Sequence, residues 1–139
     1  MFRRILLASD GSEHAERATD EAIRLMYSNV LEEIIVLYVV DGATSKSDVI
    51  VEGDRNTLLE KRRKRLHVTE QKLITANIPY EVKILKGDPG PTIVQYANSY
   101  NFDVVVIGSR GLNGFQEMVL GSVSHKVAKR VDCPVLIVK

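Results

Sequence analysis

Cysteine is nearly absent from this sequence of 139 residues, and tryptophan is missing altogether. The single cysteine, Cys133, excludes a framework of disulfide bonds within the chain. The formal net charge is only +1, which excludes the strong field of one sign that attracts nucleic acid or anionic lipid. We therefore expect a protein of a reducing compartment, and we place it in the cytoplasm.

Long apolar runs are also missing. A membrane-spanning helix needs about 20 consecutive apolar residues, and the apolar stretch at residues 2–9 ends at Asp10, too early even for a secretory signal. We expect no membrane partner. The sequence has no internal repeat and no linker, and its 45% hydrophobic content predicts one compact domain over residues 1–139.

Five short runs rich in β-branched residues are present instead. Most of them are continuously apolar rather than alternating, which is typical of strands covered on both faces in a parallel sheet. Four helical patterns separate them, and no hairpin signal joins two strands, so we predict an α/β fold with parallel strands. The strands are predicted at residues 4–8, 34–40, 80–85, 103–107 and 135–138. The helices are predicted after a Ser12 cap, over about residues 55–76, after the run Asp88-Pro89-Gly90-Pro91, and from Gly121 or Ser122.

Glycines follow the fourth strand at an unusual spacing. Gly108 and Gly111 come directly after it, and Gly121 and Ser122 stand where the last helix begins. Glycine lets the backbone approach an anion closely, the amides of a helix N-terminus favour phosphate, and Arg110 can add a guanidinium. Two interpretations stay open on these residues alone: a phosphate site, or a glycine turn followed by an ordinary helix cap.

Two common phosphate signatures, GxxxxGK[ST] and GxGxxG, are absent. The spacing Gly-x2-Gly-x9-Gly-Ser, in GSRGLNGFQEMVLGS, instead resembles the nucleotide signature of the universal stress protein family. The resemblance covers the whole chain. It includes the opening RRILLASDGSEHAERA, then VLYVVD and GDPGPTIVQYA, and the closing CPVLIVK.

The resemblance implies a five-stranded parallel sheet of order 3-2-1-4-5, with ATP, alone or with Mg²⁺, held across the switch between strands one and four. Asp10 and Val39 would contact adenine and ribose. One position departs from some ATP-binding relatives, because Ala8 stands where they carry proline. The phosphate contacts implied are Gly108, Arg110, Gly111, Gly121, Ser122, Val123 and Ser124.

The same resemblance implies an ATP-binding module that regulates a stress response. It also implies a homodimer formed through the closing strand Val135–Val138, since an exposed apolar edge strand needs a cover. The alternative is a slow ATP-hydrolysing enzyme of the same superfamily, but no residue stands out as a catalytic base. The three histidines lack metal-like spacing, and His14 is not expected at the cleft.

Five consecutive basic residues, 61–65, raise the question of a nucleic-acid surface. Consecutive positions on a helix point around its whole circumference and form no single stripe. No aromatic stacking platform accompanies them. We therefore predict a solvated helix face and no nucleic-acid partner.

Overall fold

Five parallel strands form one sheet in the computed structural model, which describes residues 3–27, 33–40, 55–110 and 121–139. The strand order is β3-β2-β1-β4-β5, and each neighbouring pair is parallel. Both features confirm the predicted fold. The strands are β1 Arg4–Ala8, β2 Glu33–Val40, β3 Tyr80–Lys86, β4 Val104–Gly108 and β5 Val135–Val138.

Helices connect these strands where the caps predict them. The Ser12 hydroxyl accepts a hydrogen bond from the Ala15 amide at 3.2 Å, which confirms Ser12 as the cap of the first helix. Pro89 opens the helix before β4, where its missing N–H costs nothing. The helices of the described residues are α1 Glu13–Tyr27, α2 Arg55–Lys64, α3 His67–Thr75, α4 Pro89–Ser99 and α5 Ser122–Arg130.

The prediction of one continuous helix over residues 55–76 is wrong. The amides of Arg65 and Leu66 bond three residues back instead of four, and a new helix starts at His67. This tight turn directs Leu66 into the core, where it is fully buried. It also packs the carbonyl of Arg65 directly over Gly11, where no side chain fits.

Two apolar clusters cover the two faces of the sheet, because successive strand residues point to opposite faces. One cluster packs under α1 and α3, and the other under α4 and α5. The continuous apolar character of the central strands follows from this burial on both sides. The first cluster includes Ile5, Leu7, Ala18, Ala22, Met26, Leu66 and Leu73, and the second includes Leu6, Ile35, Leu37, Ile93, Ala97 and Val127.

The two edges of the sheet differ in charge. The edge strand β3 carries Glu81 and Lys83, whose side chains form an ion pair at 2.8 Å. The other edge strand, β5, consists of four half-buried apolar residues. Charges on an edge oppose pairing with another strand, so only β5 has the composition of a pairing edge.

Within the described ranges, no helix is long and apolar enough to cross a bilayer. The polar segment 41–54, predicted as an excursion after the second strand, lies outside the described residues.

Candidate functional site

A cleft of about 420 Å³ opens at the carboxyl ends of β1, β2 and β4. Strand β1 lies between β2 and β4. The connection after β1 leads to one side of it and the connection from β3 to β4 leads to the other side, so the strand order reverses here. Such a switch point is where open parallel sheets bind ligands. The first residues of α4 and α5 complete the walls.

Asp10 and Val39 both line this cleft, at the ends of β1 and β2. The Asp10 carboxylate accepts a hydrogen bond from the Ser12 amide at 3.0 Å, the turn that an aspartate before a capped helix often makes. Val39 is almost fully buried and presents an apolar wall. The two residues thus lie on one surface of the cleft. Asp10 also stabilises the turn that precedes α1.

Gly108 has a packing role. A Cβ atom at this position would lie 2.8 Å from the His14 Cβ and 2.9 Å from its carbonyl carbon. Glycine therefore lets the first turn of α1 pack onto the end of β4. Gly108 also lines the cleft, and the expectation that its amide meets an anion stays a prediction.

Gly121 closes the cleft on the opposite side from β2. Its amide donates a hydrogen bond of 2.9 Å to the Ser109 carbonyl oxygen, and an added Cβ would lie 2.8 Å from that oxygen. Because the Gly121 amide is already bonded, it is not a donor for a ligand. The amides of Ser122, Val123 and Ser124 follow in the first turn of α5, where amides lack partners within the helix.

The two serines of this turn differ in burial. Ser124 is 2% exposed, and its hydroxyl donates to the carbonyl oxygens of Ser109 at 2.9 Å and Gly121 at 3.0 Å. Ser122 is exposed and lines the cleft. Both hydroxyls were expected to face a ligand, but that of Ser124 bonds to backbone instead. In the described part of the chain, no side chain caps α5.

Arg110 lines the cleft beside these amides. Its Nη2 atom is buried and has no hydrogen-bond partner among the described residues. An unsatisfied buried donor of a charged group is costly, and native proteins rarely retain one without a partner. This nitrogen is therefore a candidate contact for an anion. The neighbouring Gly111 lies outside the described residues.

Arg65 also lines the cleft, and the sequence analysis missed it. Its Nη1 atom donates a hydrogen bond of 2.9 Å to the hydroxyl of Tyr38, a buried residue of β2. Arg62 is buried as well. The predicted solvated face for the basic run is therefore wrong at these two positions. Arg65 stands in the turn between α2 and α3, and no glycine or proline marks that turn in the sequence.

His14 is not among the residues that line the cleft, and its backbone and Cβ pack against Gly108 at the end of β4. Burial lowers the pKa of its imidazole, and the nearby cations Arg17 and Arg110 lower it further. Asp10 and Glu13 oppose this shift of the pKa. The described wall of the cleft carries two guanidinium groups, those of Arg65 and Arg110, and two carboxylates, those of Asp10 and Asp88.

The model of the Universal stress protein family matches residues 1–139. The chain belongs to the universal stress protein family. It is 32% identical to the universal stress protein YxiE of Bacillus subtilis (strain 168), over the full length of both chains.

Solved structures of the family have the same fold. The structure of the universal stress protein MJ0577 of Methanocaldococcus jannaschii superposes with a TM-score of 0.84 at 31% identity, covering 100% of this chain and 96% of that one. A family member from Arabidopsis thaliana, solved with AMP bound, has a TM-score of 0.70 at 23% identity, covering 99% and 91%. The likeness to the second shows the fold alone.

Proposed function

We propose that this universal stress protein binds ATP in the cleft at the carboxyl ends of β1, β2 and β4, and that it acts as a nucleotide-dependent regulatory module of the stress response. The observation that carries the proposal is the buried Nη2 atom of Arg110, which has no partner among the described residues. A phosphate oxygen satisfies such a donor with a strong, charge-assisted hydrogen bond.

The cleft supports one orientation of the nucleotide. The apolar wall at Val39 and the Asp10 carboxylate suit the base and ribose at the β1–β2 side. The phosphates would then extend toward Arg110 and the first turn of α5. There the amides of Ser122, Val123 and Ser124 and the positive end of the helix dipole favour anions, and Gly111 belongs to the same signature.

The relative from Arabidopsis thaliana, solved with AMP bound, supports an adenine nucleotide as the class of ligand. ATP is proposed over AMP because the chain carries in full the glycine signature, GSRGLNGFQEMVLGS, that is typical of the ATP-binding members of the family. Magnesium would enter with the nucleotide, since Mg²⁺ is usually held by phosphate oxygens and one or two carboxylates. Asp10 and Asp88 are the carboxylates that line the cleft.

Thermal melting with and without ATP tests the proposal. At a hundredfold excess over its dissociation constant, ATP should stabilise the wild type by about 2.7 kcal/mol. Arg110→Gln should lose most of that shift, because it removes the buried cation. Arg130→Gln is the matched control, since Arg130 is exposed at the far end of α5, and it should behave as wild type. An equal shift in wild type and Arg110→Gln would contradict the proposed phosphate position.

A further inference from the structure

We propose that Arg65 forms a second anion-binding position in the cleft, at its ribose end. The cleft would thereby favour an adenosine nucleotide that carries a phosphate on the ribose 2′ or 3′ hydroxyl as well as on the 5′ carbon. The inference rests on the proposed function, because the orientation proposed for the nucleotide places its ribose on the β1–β2 side. It adds a specificity that the glycine signature, which lies at and after the end of β4, does not contain.

The backbone of Arg65 is fixed above the loop that follows β1. Its amide donates a hydrogen bond of 3.2 Å to the Arg62 carbonyl oxygen, in the turn between α2 and α3. Its own carbonyl packs directly on Gly11, whose φ of 80° lies in the left-handed region. The side chain of Arg65 therefore starts from one defined place, beside the loop that carries Asp10.

The Tyr38 hydroxyl holds the guanidinium of Arg65 at the cleft. Arg65 Nη1 donates a hydrogen bond of 2.9 Å to this hydroxyl, and both residues line the cleft. Tyr38 is only 4% exposed, so its ring is held by the core around it. A guanidinium has five N–H donors in a planar fork, so it can keep its bond to Tyr38 and also bind a phosphate through two parallel hydrogen bonds. Tyr38 is thus a positioning residue for Arg65.

Arg65 and Arg110 reach the cleft from opposite sides of β1. Tyr38, which holds Arg65, belongs to β2, whereas Arg110 follows β4, and β1 lies between these two strands. Neighbouring strands are about 4.8 Å apart, so β2 and β4 are separated by roughly 10 Å. Two guanidinium groups placed in this way suit two separate anionic groups of one ligand.

The ribose is the part of the nucleotide that can supply the second anionic group. With the 5′ phosphates at Arg110 and the first turn of α5, the ribose faces Arg65. In doubly wound α/β folds, an arginine at the ribose end accommodates a ribose phosphate, whereas a carboxylate binds the free hydroxyl. Asp10 is the carboxylate at this end, and it accepts a hydrogen bond of 3.0 Å from the Ser12 amide. The positive end of the α1 dipole offsets its charge as well, so Arg65 can hold a phosphate beside it.

Titration calorimetry tests this position with ligands that differ by one phosphate. Adenosine 3′,5′-bisphosphate and adenosine 2′,5′-bisphosphate each differ from AMP only by a ribose phosphate. Wild type should bind one or both of them at least about tenfold more tightly than AMP, the effect of one charge-assisted hydrogen bond. Arg65→Gln should remove this preference, and Tyr38→Phe should reduce it. Lys64→Gln is the matched control, because Lys64 is exposed at the end of α2, and it should keep the wild-type preference.

ADP is the matched control ligand. It has the same number of phosphates as the bisphosphates, but both are on the 5′ side, away from Arg65. The ratio of ADP affinity to AMP affinity should therefore be the same in wild type and in Arg65→Gln. Because each preference is a ratio of two affinities measured in one protein, a loss of stability in a variant does not change it.

The failure of this proposal differs from the failure of the proposed function. If wild type binds ATP but binds neither bisphosphate more tightly than AMP, the role of Arg65 is overturned and ATP binding stands. The same conclusion follows if Arg65→Gln keeps the preference. If wild type does not bind ATP, the proposed function fails, whereas a bisphosphate preference that depends on Arg65 would still support the second anion position. If wild type binds none of these nucleotides, both proposals fail.

Discussion

The Ser124 hydroxyl donates a hydrogen bond of 2.9 Å to the carbonyl oxygen of Ser109. The Gly121 amide donates to the same oxygen, also at 2.9 Å. One carbonyl oxygen thus joins the end of β4 to the first turn of α5, the two segments proposed to hold the phosphates. The hydrogen bonds fix the α5 amides in place before a ligand arrives, which lowers the cost of ordering them on binding.

Ser124→Ala should therefore reduce the stability of the fold. It removes the hydroxyl and leaves the Ser109 carbonyl with one donor fewer in a buried site, so we expect a loss of about 1–2 kcal/mol in the free energy of unfolding. Ser122→Ala is the matched control. Ser122 is exposed, so its removal should leave stability unchanged and weaken ATP binding by about 1–2 kcal/mol. Urea denaturation without ATP measures the stability of the two variants, and denaturation with ATP measures how well each binds the nucleotide. Equal losses of stability in the two variants would contradict the different roles of the two hydroxyls.

The fold was predictable because its signals are local. The apolar runs gave β1 and β5 at their observed bounds, and the strand predicted at 103–107 is shifted by one residue from β4. The turn between α2 and α3 gives no such signal, because the residues around Arg65 are good helix formers without glycine or proline. Contacts distant in sequence decide it: Leu66 in the core and the Arg65 carbonyl on Gly11.

Gly121→Ala should test whether the glycines of the signature serve packing. Its Cβ would meet the Ser109 carbonyl, which is backbone and cannot easily move, so we expect a loss of about 1–3 kcal/mol in stability. Gly90→Ala is the control, because its Cβ would meet only the flexible side chain of Lys126 and alanine favours a helix. Chemical denaturation should show that Gly90→Ala is at least as stable as wild type and that Gly121→Ala is less stable. A Gly121→Ala variant as stable as wild type would refute the packing role.

The candidate site was predictable only where topology brings residues together. Asp10, Val39 and Ser122 meet because the carboxyl ends of parallel strands share one edge with the following helix starts. Arg65 was missed because its bond to Tyr38 joins residues 27 apart in sequence.

Glu70 should make the stability depend on pH in the acid range. The hydrogen bond from Arg63, 2.9 Å long, lowers the pKa of the Glu70 carboxyl from its ordinary 4.5, and the Tyr80 hydroxyl donates to the same oxygen at 2.8 Å. A lowered folded-state pKa adds stability above pH 4.5 and loses it as the pH falls through the folded value.

The stability difference between wild type and Glu70→Gln should therefore be constant above about pH 5 and shrink on acidification. Urea denaturation across this range measures it. Glu81→Gln is the control, since its ion pair with Lys83 is exposed and such pairs contribute little. A difference for Glu70→Gln that does not change with pH would show that the carboxylate charge is unimportant.

We also propose that β5 pairs with its copy in a second subunit to form a homodimer with twofold symmetry. This strand is an apolar edge, whereas β3 carries charges. Light scattering at micromolar concentration should give the mass of a dimer. Ile137→Glu should shift it toward monomer, and Lys83→Glu on the opposite edge should not. A wild-type protein that stays monomeric at this concentration would contradict the proposed dimer.

Isothermal titration of ATP into the wild-type protein, with magnesium present, tests the central claim most directly. We predict one site per chain with a dissociation constant on the order of micromolar, which corresponds to about 8 kcal/mol of binding free energy. GTP, titrated in the same way, should bind more weakly if the β1–β2 side of the cleft recognises adenine. The absence of both a binding heat and a melting shift with ATP would contradict the account, and would leave the glycines of the signature as packing residues alone.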